Sequence, residues 1–295
     1  MPVGRLSSQL ASADVGHLAA AYDRAMAARR ARTMLAAIAL VLAILLAGIA
    51  AEVRPAVLFT HIGNFGSYFD AILKLDSGAR VWTSPADWFW NLATWLRLMA
   101  ETVLIAYVGT LAGGAAAFVL SFVASRNLTR SAMLRGATKR LLEFSRTVPE
   151  LVFALIFVVA FGLGPVPGVL AIAVHTMGTL GKLFAEVIEN IDAKPLEGVA
   201  AAGGSWLHRV RFAALPQVLS NFASYGLLRF EINVRGAAVI GFVGAGGIGQ
   251  TLLEAIRKFY YSDVSALLVL MILTVMMIDY GTEKLRHRML GESAR

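Results

Sequence analysis

Arg229, Glu231, Asn233 and Arg235 occupy alternate positions inside a largely apolar run, residues 218–243. A guanidinium presents a planar fork of donors that suits carboxylates and oxyanions. Ionisable groups inside apolar runs of membrane length are costly, and they face a protein interior or an aqueous path. Two readings of the arginines follow. They offset the charge of a passing oxyanion, or they pair with Glu231 or Glu101 and hold helices together. His175, in another apolar run, offers the same choice between a path group and a hydrogen-bonded helix contact. A six-residue spacing sets Arg229 and Arg235 about 120° apart around a helix, so one stripe cannot hold both. The expectation is that Arg235 faces a central path and Arg229 pairs within the bundle. Asn233 and His175 complete the set of candidate path residues.

Other chemistries find no footing. The sequence has no cysteine, which excludes disulfides, thiolate catalysis and thiolate metal ligation. Residues 244–249 read Gly-Ala-Gly-Gly-Ile-Gly and satisfy a dinucleotide-type glycine spacing. That motif needs a short preceding strand inside a soluble βαβ unit, whereas here a long apolar run precedes it. A glycine-rich external turn is the better expectation. No G-x-x-x-x-G-K-[ST] stretch occurs, so ATP hydrolysis would have to reside elsewhere. His175, Glu101 and the arginine group stand on separate runs without the spacing an intramembrane enzyme requires.

The elements that position these residues are membrane spans. Of 295 residues, 58% are hydrophobic and 16% charged, against about 25% charged in a soluble domain. Apolar runs cover residues 34–51, 96–124, 148–180, 218–243 and 264–281, and the third is broken by the Gly-Pro-Val-Pro-Gly stretch at 164–168. A turn there divides it into two passes, for six spans in all. The expected divisions are 1–33, an N-terminal cytoplasmic segment; 34–53, the first span; 54–93, an external segment; 94–282, a core with five further spans; and 283–295, a cytoplasmic tail. Trp82, Trp88, Trp90 and Trp95 cluster where the second span begins, and tryptophan favours the membrane–water interface. Lysines and arginines number nineteen in the N-terminal region, the second and fourth connections and the tail, against five in the opposite connections. Positive charge stays inside, which places both termini in the cytoplasm. The net charge of +8 therefore reflects topology and not nucleic-acid binding.

The fourth connection contains EGVAAAGGSWLHRVRFAALP, residues 197–216. It resembles the "EAA" loop of ABC-importer permeases: Glu197, Gly203, Leu215 and Pro216 stand at the matching positions, while Gly198, Val199 and Ala213 depart from its alanines and isoleucine. Three further segments, residues 146–151, 175–186 and 229–249, resemble phosphonate-importer permeases in particular. The resemblance implies an all-α, six-span permease bundle with a cytoplasmic coupling helix. It implies no cofactor on this chain, with ATP bound by a partner ABC ATPase dimer, a periplasmic phosphonate-binding protein that delivers substrate, and a second permease copy. The cargo implied is a phosphonate or related phosphorus oxyanion. Another small solute such as phosphite, phosphate or methionine stays open as an alternative. A secondary transporter or channel would account for the arginines but not for the loop spacing.

Overall fold

Hydrocarbon offers no partner to a bare peptide group, so a chain this apolar must close its own backbone hydrogen bonds. The computed structural model describes residues 3–293, with side chains described between Tyr22 and Arg288 except those of Asp23 and Leu58. It is all-helical, and no strand occurs among the described residues. In chain order the helices are α1 (Val3–Ala50), α2 (Pro55–Ile72), α3 (Pro85–Trp88), α4 (Leu92–Ala124), α5 (Ala132–Thr147) and α6 (Glu150–Phe161). There follow α7 (Pro165–Glu189), α8 (Ala193–Ala201), α9 (Trp206–His208) with a π-helical turn over Arg209–Ala214, α10 (Leu215–Ile240), α11 (Ile248–Arg257) and α12 (Tyr261–Ser293). Two units result, one up to Tyr68 and one from Phe69 onward.

In the first unit the N-terminal segment and the first span lie on one continuous helix. No proline interrupts residues 3–54, and the stretch is rich in alanine, leucine and arginine, so the helix runs through. In the second unit four elements of the expected chain path need restating. Residues 132–147 form a helix where a basic loop is expected, because Thr138, Leu142 and Ser145 recur on one face and bury it against α7. The turn between the third and fourth passes falls at Gly162–Leu163–Gly164, with both glycines at positive φ. Pro165 and Pro167 then open α7, where the first helical turn needs no amide donors. The fourth span reaches Glu189. The expected external loop after α10 is a glycine turn followed by α11, which packs on α4 and α12.

Helices α1, α4, α7 and α12 contain stretches long and apolar enough to cross a membrane. Two bent pairs bring the total to as many as six spans: α5 with α6, bent by 88°, and α10 with α11, bent by 50°. The second unit is organised on the α4–α7 contact. A Cβ on Gly109 would lie 2.7 Å from Ile172, and one on Gly113 would lie 2.4 Å from the Ala173 carbonyl. These glycines let two backbones touch, the usual device of helix association in lipid. Residue numbers rise together along the contact, so α4 and α7 run parallel. Helix α10 runs the other way: Asn233 meets Thr110, while Phe222 meets Phe118 and Phe122. Alternating direction is what successive passes require.

Candidate functional site

Two places concentrate the predicted residues. The first is the connection between α7 and α10. Asp192 caps α8, its side chain accepting from the Lys194 amide at 3.1 Å. The helix stops at Gly203. The Gly203 amide donates to Ala200 O at 3.0 Å and the Gly204 amide to Val199 O at 2.9 Å, with Gly203 at φ +78°. This is the left-handed double cap that satisfies the last helical carbonyls. Glycine at 203 is therefore a backbone requirement of this chain, and the space beside it is open. Glu197 is exposed on α8, and beyond the cap Leu207 and Phe212 stand 64% and 60% exposed. The loop thus presents a small-residue helix beside large apolar side chains.

Leu215 and Pro216 lie in the first turn of α10, directly after the π-helical turn. Gln217 ties this start back to the loop. Its amide oxygen accepts from the Asp192 backbone N–H at 3.1 Å, and its amide nitrogen donates to Ala213 O at 2.8 Å. Leu196, Val210 and Val218 join one cluster with Phe184 and Phe222. The α8 cap and α10 are therefore joined by a hydrogen bond, and the two helices share a packed core. The sequence reading missed Gln217, for it lies one residue beyond the matched pattern.

The second place is the polar group inside the bundle. Arg229 pairs with Glu150 at 3.5 Å, with side chains 11% and 17% exposed. This is neither of the partners suggested by the sequence. Glu150 opens α6 just past the α5–α6 bend. His175 sits against the same bend, with Nδ1 3.2 Å from Val148 O. Asn233 is fully buried and donates to both Thr110 Oγ1 and Thr176 Oγ1 at 2.8 Å, joining α10 to α4 and α7. Arg235 lies on the opposite side of α10, half-exposed. It pairs with Glu231 one turn back and with Asp279 of α12 at 3.1 Å. Glu101 pairs with neither arginine among the described contacts. It accepts from the Gly247 amide at 3.3 Å, and Thr102 Oγ1 accepts from the Ile248 amide at 2.9 Å. The glycine turn is thus fastened to α4, and it follows a helix and not a strand.

The model of the binding-protein-dependent transport system inner membrane component matches residues 109–283, from the middle of α4 into α12. The chain belongs to that family. This permease is 39% identical over 202 residues to the phosphite transport system permease protein PtxC of Stutzerimonas stutzeri, covering 68% of this chain and 73% of that one. It is 42% identical over 164 residues to the phosphate-import permease protein PhnE of Mycolicibacterium smegmatis, covering 56% and 31%. Among solved structures it resembles the inward-facing MetNI methionine ABC transporter, with TM-score 0.57 and 20% identity over 66% of this chain and 95% of that one. It also resembles a bacterial alginate ABC transporter bound to its periplasmic protein, with TM-score 0.55 and 13% identity over 84% and 94%. These last likenesses are of fold. The permease is an integral inner-membrane component with an all-helical ABC-importer fold, and α8 to α10 lie within the matched region.

Proposed function

We propose that this permease is the membrane-spanning part of an ATP-driven importer for a phosphorus oxyanion, a phosphonate or the related phosphite or phosphate esters. The observation that carries the cargo is its identity to permeases named for phosphite and phosphate transport. Both termini lie in the cytoplasm, a reading that the distribution of lysine and arginine supports. A binding protein delivers substrate at the outer face. Two ATPase subunits bind ATP at the inner face, and a second copy of this chain completes the path. Transport is alternating access: closure of the ATPases moves α8, and Gln217 and the Leu196–Val218 cluster carry the movement into α10. Such a change switches between two packings and does not flex continuously.

Purified permease reconstituted with its ATPase and binding protein tests the cargo. ATP-dependent uptake of phosphite or a phosphonate is the expected result. Uptake of methionine in place of every phosphorus anion would overturn the assignment. Docking is tested by two glycines of one helix and its cap. Gly198 is helical and its Cβ position is open, so Gly198→Ala should leave coupling intact. Gly203→Ala forces a side chain into the left-handed region at about 1–2 kcal/mol and should weaken ATPase co-purification. Equal co-purification of both variants would remove α8 and its cap from the docking role.

A further inference from the structure

We propose that α2 lies along the membrane surface, with one face seated in the lipid boundary. Its sequence has two faces. At about 100° per residue, Ile62, Phe65, Phe69 and Ile72 fall within an arc of roughly 80°. Thr60, Asn64, Ser67 and Asp70 fall within an arc of roughly 120° centred on the opposite side. Ile62 is 62% exposed. The last member of the stripe, Ile72, is buried with Trp95 and Met99.

Connectivity supplies the occupant. Helix α1 contains a 27-residue candidate span ending at Ala50, and α2 begins at Pro55. The start of α2 is therefore held near the bilayer boundary that α1 has just reached. Its other end leads to the α4 start, where Trp88 and Trp90 donate to Ser265 and Asp263 at the α12 start, each at 2.9 Å. Tryptophans in such a band mark the membrane–water interface. Both ends of α2 thus sit at one boundary. With 18 residues it is about 27 Å long, yet it is not among the helices apolar enough to cross. A crossing α2 would also put the N-terminal end of α1, with Arg24, Arg29, Arg30 and Arg32, on the face opposite the other basic connections, against the charge bias. An amphipathic helix held at a boundary lays its apolar face about 5–10 Å into the headgroup–acyl zone.

The chemistry of the seat is specific. Residues 55–69 contain no lysine or arginine, so nothing in this helix selects anionic headgroups. Aromatic and aliphatic side chains supply the attraction, and it should be the same in zwitterionic and anionic bilayers.

The absence of cysteine makes the test direct, since single-cysteine variants of the full chain carry one label each. Nitroxides at Ile62→Cys, Asn64→Cys, Phe65→Cys and Ser67→Cys would be read in lipid nanodiscs by collision with oxygen and with a water-soluble nickel chelate. The chelate reaches both faces of a nanodisc, so the outcome is independent of the transmembrane orientation and of the cargo. Oxygen-to-nickel accessibility should be several-fold higher at 62 and 65 than at 64 and 67, and unchanged between phosphatidylcholine and phosphatidylglycerol discs. Equal nickel access at all four sites would mean a helix in water. Low access to both probes at 62 and 65 would mean a protein partner. Low nickel access at all four would mean a crossing helix, and a seat found only in phosphatidylglycerol would mean headgroup selection. Each of these results overturns the proposal.

Discussion

Arg229 and Arg235 share one helix and one chemistry, yet their surroundings differ in kind. Arg229 has one carboxylate, at 3.5 Å, and Arg229 Nε and Glu150 Oε1 are buried without a hydrogen-bond partner in the described structure. Arg235 has two carboxylates, Glu231 and Asp279, and its side chain is 48% exposed. The first is a balanced pair inside the protein. The second is a cluster of one cation and two anions, open on one side, among exposed apolar neighbours such as Met276 and Ile272. A cluster like that at membrane depth needs water or protein over it. Charge placement on this span is decided by azimuth: six residues carry the side chain from the bundle interior to its surface.

The largest effect is expected where the pair is closed. Arg229→Gln strands a buried carboxylate, and breaking a buried pair costs about 3–5 kcal/mol. The yield of folded permease in membranes should collapse. Replacing both partners together is often near neutral, so Arg229→Gln with Glu150→Gln should recover much of that yield. If the single and double variants assemble equally poorly, the guanidinium does more than neutralise Glu150.

A smaller loss is expected at Asn233. Asn233→Ala removes two hydrogen bonds, but Thr110 Oγ1 keeps its own bond to Ala106 O at 2.6 Å. Interhelical hydrogen bonds in membranes average about 0.6 kcal/mol, so the melting midpoint of purified permease should drop modestly. A collapse as deep as that of Arg229→Gln would show that neutral and ionic bundle contacts carry equal weight, against the comparison. This part of the molecule was only half legible in the sequence. Apolar run length and charge bias outlined the spans, and the helical period separated the two arginines. Glu231 was readable as a partner and pairs with Arg235, but Glu150 and Asp279 were not, because they lie on other helices and only packing brings them near. Glu150 was at hand within the segment 146–151, but the 88° bend that aims it at α10 has no local signature beyond Val148-Pro149. Likewise Gly203 was legible as a pattern match, while its positive φ emerged only with the helix end.

The smallest effect on folding is expected at Arg235, and there the comparison is sharpest. With water over the cluster, an exposed ion pair contributes about 0–1 kcal/mol, so Arg235→Gln should assemble to near the normal amount. Its effect should appear in transport. Without the guanidinium, Glu231 and Asp279 remain as neighbouring negative charges, and an oxyanion approaching that surface meets repulsion in place of a partly neutralised cluster. Uptake per assembled complex should fall to a small fraction of normal. Arg235→Lys keeps the charge but loses the planar fork, so it should retain part of the rate. Expression must be measured alongside uptake, because a fall in both would make Arg235 a second Arg229. Normal uptake per complex with Arg235→Gln would remove this arginine from the anion path and leave the Arg235–Glu231–Asp279 cluster as a helix tie between α10 and α12.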